Sequence, residues 1–181
     1  MCILGSLVRL YFGYKFQPWL LAPDQLAWEI VLNNGDWSYA HLIHYPHEGG
    51  TVLIGIIARF IQIFTNFHSL TVVAFLLDFV VRFVQLIIVA KLFGRRMLYY
   101  FGAWTIFALP FIIPWGTLNF GLHAIAGVFP FIYLWLYQRK KRNHLLIGIF
   151  LGSALWFHYA NLILIQVYLL SNLIYRASFK D

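Results

Sequence analysis

Apolar positions run along this chain in long stretches, and polar ones gather at the breaks between them. A stretch that crosses a bilayer needs roughly 20 apolar residues. Residues 70–93, 97–115 and 120–137 reach that length, and 145–157 with 162–175 form a tight apolar pair turning at His158-Tyr159-Ala160-Asn161. Residues 3–21 are a marginal candidate, interrupted by Arg9, Lys15 and Pro18. Residues 51–64 are apolar but short, and they contain Arg59. Residues 23–34 read as a short amphipathic helix: Pro23 suits a first turn, Leu26, Ile30 and Val31 share a face, and Asn33-Asn34-Gly35 supply a stop. The expected fold is an all-α polytopic transmembrane bundle of about six membrane helices, with an amphipathic juxtamembrane helix in its first large loop. Residues 1–181 form one transmembrane domain in this reading, without repeats or a soluble part.

Composition supports the membrane class. The chain is 62% hydrophobic and 10% charged, where a soluble domain carries about a quarter charged residues. Seven Trp and eleven Tyr suit the two membrane–water interfaces. The net charge of +7 follows from basic residues at helix ends, the ordinary positive-inside bias, so no nucleic-acid partner is expected. The single cysteine, Cys2, excludes an internal disulfide and a Cys-based metal site. The N-terminus is a poor signal peptide, because Arg9 and Lys15 interrupt its apolar run and no small-residue cleavage site follows. The expected location is integral and multi-pass, in a bacterial inner membrane or its equivalent, with membrane lipids as partners.

Basic loops set the orientation. Lys91 with Arg95-Arg96, Arg139-Lys140-Lys141-Arg142, and Arg176 with Lys180 fall on one side if the intervening stretches cross. The opposite side receives residues 115–121 with Asn119, His123 one turn into the next helix, and His158, Tyr159 and Asn161. Residues 22–50 join that second side if 51–64 is re-entrant or partly buried, which is the arrangement expected here. If 51–64 also crosses, the loop lands on the basic side.

The loop matters because it concentrates titratable groups. Residues 22–50 hold Asp24, Glu29, Asp36 and Glu48, four of the six acidic residues, and His41, His44 and His47, three of the seven histidines. Asp24 opens the amphipathic helix, where a carboxylate serves as cap or dipole partner. It could equally take a proton from an acceptor hydroxyl at the membrane surface. Glu29 reads as a solvating interfacial group, and Asn34-Gly35 turn chemistry accounts for Asp36. The His41-x-x-His44-x-x-His47 spacing fits zinc only loosely, since Pro46 breaks a continuous helix. A phosphate anion suits these side chains better, because a protonated histidine donates from both ring nitrogens. Gly49-Gly50, opening an apolar helix, would add backbone N–H groups for an anion. No metal site and no cofactor is expected. Asp78 and Arg82 are four apart in one apolar stretch, the spacing of an intrahelical ion pair. Arg59 has no local partner and is expected to snorkel to an interface or to meet a lipid phosphate.

The order of these features resembles the GT-C superfamily of integral membrane glycosyltransferases, which use polyprenyl- or dolichyl-phosphate-linked sugars. Their first exoplasmic loop typically begins with an acidic residue and an amphipathic juxtamembrane helix ending in Gly, which Asp24 to Gly35 matches. A Tyr-Pro-His-like segment leading into an apolar helix follows, here Tyr45-Pro46-His47-Glu48-Gly49-Gly50-Thr51. The later stretches are similar too, with Lys91-Leu92-Phe93-Gly94-Arg95-Arg96, a helix holding Pro110, and a basic turn before Leu146–Gly152. Gln25 stands where some subfamilies carry a second acidic residue, and Gly49-Gly50 replace the commoner proline. The resemblance implies that residues 22–50 are an exoplasmic catalytic loop, that Asp24 is the catalytic carboxylate, and that His44, Tyr45 and His47 face the phosphate of a lipid-linked sugar donor. His158 joins them as a further phosphate-binding candidate. Such enzymes are longer, so the chain is expected to correspond to the N-terminal portion of one. The alternative is a non-enzymatic membrane subunit or transporter-like protein, for which Asp78 and Arg82 would line a polar path.

Overall fold

The computed structural model describes residues 3–8, 11, 23–34, 37–42, 49–64, 69–106, 123–139 and 142–178. Every regular element among them is a helix, and none is a strand. After a helical stretch at 3–8 come α1 (Pro23–Asn34), α2 (Tyr39–Leu42), α3 (Gly49–Phe64), α4 (Ser69–Ile106), α5 (His123–Ala126), α6 (Phe129–Tyr137), α7 (His144–Phe157) and α8 (Leu162–Ser178). A 3-10 turn, Tyr159–Asn161, joins the last two. Residues 12–22, which complete the marginal first stretch, and the 115–121 loop with Asn119 lie outside the described residues.

α1 has the expected limits, but its inward face differs from the stripe expected. Trp28 and Leu32, one turn apart, are buried, whereas Ile30 and Val31 are exposed. The last four carbonyls of a helix lack intrahelical donors, and polar side chains gather around this end of α1. Asn34 Nδ2 donates to the Ile30 carbonyl at 3.1 Å. The Arg59 guanidinium, from α3, donates to the Leu32 carbonyl. Gln62 Nε2 donates to Asn33 Oδ1 at 2.6 Å. Arg59 therefore does not depend on a lipid phosphate for a partner. It seats its charge at the negative end of α1, where the helix dipole favours a cation.

α4 contains a single non-helical residue, Gly94, at φ 81 and ψ 177. That region of backbone space is essentially restricted to glycine. The contacts to α6 and its preceding turn reveal what the break does. Gln85 donates to the Gly127 carbonyl at 3.0 Å. Lys91 lies over the Trp135 ring. Phe101 then meets Phe131, with centroids 5.5 Å apart. Before Gly94 the chain advances along α6, and after it the chain comes back. Residues 69–93 and 95–106 are thus two limbs folded at one glycine, where two separate spans and a basic loop were expected. Val72–Ile106 is the one helix among the described residues that is long and apolar enough to cross a membrane, with a best-window hydropathy of 2.5. Its first limb alone, at about 1.5 Å per residue, exceeds the roughly 30 Å of a hydrocarbon layer. α3, α7 and α8 are apolar but shorter. The expected prolines Pro110 and Pro114 lie outside the described residues.

Two apolar cores result. The first gathers Trp28, Leu32, Leu42, Ile54, Ala58, Leu70, Val73 and Phe157. The second gathers Tyr133, Leu136, Ile147, Leu151 and Leu164. Phe129 bridges them, 5.2 Å from Phe157 and 5.9 Å from Phe150. The outward faces are apolar as well: Leu76, Val80, Phe83 and Ile87 form an exposed stripe on α4, and Ile163, Val167, Leu170 and Ile174 form one on α8. Helices apolar on both faces belong in a large core or in lipid.

Gly94→Ala tests the fold at the break. A Cβ there would meet no atom within 4 Å, so the whole effect is backbone strain, expected at about 1–3 kcal/mol. The check is the midpoint of reversible unfolding in detergent, where a shift equivalent to only a few tenths of that range would contradict the assigned geometry.

Candidate functional site

The first core draws the elements of the expected catalytic loop to one end of the molecule. It takes Trp28 and Leu32 from α1, Leu42 from α2, Ile54 and Ala58 from α3, Leu70 and Val73 from the start of α4, and Phe157 from the end of α7. Asp24 stands on α1 one turn before Trp28; its side chain lies outside the described part. His44, Tyr45, Pro46, His47 and Glu48 also lie outside the described residues, but both flanks of that segment are fixed. Leu42 is buried in the core. Gly49 lies flat against the Trp156 indole, so closely that an added Cβ would fall within the ring. Ile125 and Phe129 pack against the same core, bringing α5 and the backbone of His123 to this end.

α3 stays at this end throughout. Its start rests on the last turn of α7, and Arg59 and Gln62 near its far end hold the close of α1.

His158 closes the α7–α8 turn and is completely buried. Its backbone is extended, and its Nδ1 accepts a hydrogen bond from the Ala160 N–H at 3.0 Å. A nitrogen that accepts carries no proton, so the neutral ring bears its hydrogen on Nε2. His158 thus donates from one nitrogen, not from the two that an imidazolium would offer. Asn161 Nδ2 donates to the Ala154 carbonyl at 2.8 Å, closing the end of α7. The Tyr159 ring stacks on His158 at 5.0 Å and is exposed.

The basic clusters meet at the other end. Lys91 from α4 and Arg139 from the α6–α7 turn lie over the same Trp135 ring, at 5.8 and 4.0 Å from its centroid. Arg142 lies 4.2 Å from the Tyr137 centroid. Asn143 caps α7 here, its Oδ1 accepting from the Leu146 N–H at 3.0 Å. α7 runs from this cap to His158, so the two ends stand about 20 Å apart. Lys140, Lys141 and Lys180 lie outside the described residues, as does the Arg176 side chain.

Asp78 and Arg82 sit midway, between Leu77, which packs on the first core, and Gln85. Arg82 Nε and Nη2 each donate to one Asp78 carboxylate oxygen at 2.7 Å. Both residues are buried, 3% and 7% exposed. The pair forms the expected bidentate intrahelical bridge, closed on itself instead of facing an open path. No group of three or more His, Cys, Asp or Glu that could hold a metal occurs among the described residues.

Trp156 and Trp135, the aromatic platforms of the two ends, were not among the expected site residues. Their only sequence signals are the runs Trp156-Phe157-His158-Tyr159 and Tyr133–Tyr137, which periodicity alone assigns to packing. Comparison with models of known protein families, with curated proteins and with solved structures found no match.

Two outcomes are expected from this geometry. Arg82→Met strands a buried carboxylate and should cost about 3–5 kcal/mol, whereas joint replacement of Asp78 and Arg82 by Leu and Met should be close to neutral. Unfolding of the three variants in detergent compares them directly. Single cysteines at positions 24 and 47, in a Cys2→Ser background, should label from one side of a sealed vesicle, and those at 95 and 141 from the other. Labelling of all four from the same side would contradict the two-ended arrangement.

Proposed function

We propose that the protein is a multi-pass helical membrane protein, of about six membrane helices, that acts as a GT-C-like glycosyltransferase or forms the N-terminal part of one. It would reside in a bacterial inner membrane or its equivalent. The observation that carries the reading is the gathering of α1, the two flanks of residues 43–48, and the His158 turn around one core, at the end away from the basic residues. The exposed apolar stripes on α4 and α8 support a lipid environment.

In this reading Asp24 removes the proton from an acceptor hydroxyl. The hydroxyl oxygen attacks the anomeric carbon of the lipid-linked sugar from the face opposite the phosphate. The new glycosidic C–O bond forms as the bond between that carbon and the phosphate oxygen breaks, with inversion. The bonding electrons leave with the lipid phosphate, whose growing negative charge needs donors. His44, Tyr45 and His47 are assigned that role, and His158 contributes from Nε2. Charge stabilisation of this kind is a large share of catalysis where donors are held in position beforehand, and the anchoring of Leu42 and Gly49 supplies such support for the segment between them. Membrane lipids and a lipid-linked sugar are the partners, and nucleic acid is not one.

A transporter-like reading is weaker, because Asp78 and Arg82 occupy each other's hydrogen-bonding groups in a buried contact. Asp24→Asn distinguishes the readings. Transfer of a radiolabelled sugar from a polyprenyl-phosphate donor, by membranes containing the protein, should fall about 10²–10⁴-fold, the usual contribution of a general base. Unchanged turnover in a folded variant would remove Asp24 from the chemistry.

A further inference from the structure

The basic end gathers Lys91, Arg139 and Arg142 on aromatic rings. Between Asp78 and Asp181 the chain contains no aspartate or glutamate. Asp78 is engaged with Arg82, and the other described acidic positions, Asp24 and Glu29, belong to α1 at the opposite end. Among the described residues, Lys91, Arg95, Arg96 and Arg139 lie on aromatic faces: Trp135 takes both Lys91 and Arg139, and Tyr99 and Tyr100 take the other two. An aromatic face holds a cation in position without cancelling its charge. Two cations held on one ring repel each other, and an anion that contacts both reduces that repulsion. A guanidinium lying over a ring keeps its N–H edge for phosphate oxygens. The positive end of α7, just past Arg142, adds to the same field.

The surroundings identify the anion. Phe93, Leu134 and Leu145 neighbour these cations in the chain and are exposed. A free phosphate has no use for such residues, whereas a lipid lays acyl chains along them. We propose that this end is a binding site for an acidic phospholipid of the adjoining leaflet, its phosphodiester headgroup held by Lys91 and Arg139 over Trp135 with Arg142 alongside. The site ties the Gly94 break of α4 to the α6–α7 turn, since each contributes one of the two cations on Trp135. The proposal rests on the membrane reading above and is independent of the transfer chemistry.

The test offers the detergent-solubilised full chain equal amounts of phosphatidylglycerol and phosphatidylcholine and counts retained lipids by native mass spectrometry. Phosphatidylglycerol should be retained in preference. Removing a basic residue from such a surface lowers affinity about five-fold, so Lys91→Gln with Arg139→Gln should lower it about thirty-fold. Arg95→Gln with Arg96→Gln, which spares Trp135, should change it less. Should the first pair not be recovered folded, Arg139→Gln alone, at an exposed side chain, carries the test with a five-fold loss expected. Equal retention of the two lipids, an unaffected Arg139→Gln variant, or displacement of phosphatidylglycerol by inorganic phosphate would each overturn the assignment. Release of the protein from membranes by alkaline carbonate would instead overturn the membrane reading.

Discussion

The seating of α3 between α1 and α7 is the contact on which the candidate site depends. The chain beyond Leu42 must return to the core before α4 begins, and the short helix α3 achieves this with two kinds of contact. Ile54 and Ala58 are fully buried against Leu70 and Val73, and such apolar burial supplies most of the driving force. Arg59 and Gln62 add direction, because Arg59 reaches the Leu32 carbonyl at the end of α1 and Gln62 the Asn33 side chain. Apolar contact alone would let α3 slide along α4. The polar grip on Leu32 and Asn33 sets its register, and that register puts Gly49 on Trp156. A bulkier residue at position 49 would push the start of α3 off α7.

The same molecule separates its polar chemistry along its length. Among the described residues, helix α1 and the buried His158 border the first core, while Lys91 and Arg139 share Trp135 at the other end. Aromatic rings make this separation tolerable, since they hold long basic side chains at an interface without a carboxylate partner. α4 is the ruler between the ends. Leu70 is buried in the first core and Lys91 lies on Trp135, so one helical limb measures the distance from one chemistry to the other.

Local signals were readable wherever a residue acts on its own backbone. Pro23 and Asn33-Asn34 marked the limits of α1, and the His158–Asn161 turn and the Asp78–Arg82 bridge appeared as their spacing implied. Features that depend on a distant partner were not readable. Arg59 meets Gln62 one turn on, but only the folded chain brings the Leu32 carbonyl to it. Phe93-Gly94-Arg95 was legible as an interruption, but reversal at a single residue requires φ 81, which a glycine permits and does not announce. The stripe Leu26, Ile30 and Val31 was legible as one face of α1. Trp28 and Leu32 pack inward instead because lipid-exposed and core-facing apolar residues look alike in sequence when both surroundings are oily. The His158 geometry is local and clear, whereas the Asp24 side chain and His47 lie outside the described residues.

The buried Asp78–Arg82 pair shows why polarity in an apolar helix need not mean a pathway. A carboxylate and a guanidinium in the bundle each carry a large desolvation cost, recovered only if their hydrogen bonds are made to one another. Two parallel bonds of 2.7 Å join them within one turn of one helix. A transport site needs the opposite property: groups that give up protein partners for a ligand at small cost. The pair instead leaves Gln85, one turn further on, as the side chain that reaches across to the Gly127 carbonyl and joins α4 to the α5–α6 turn. Polar residues on this face of α4 therefore fix how the helix packs.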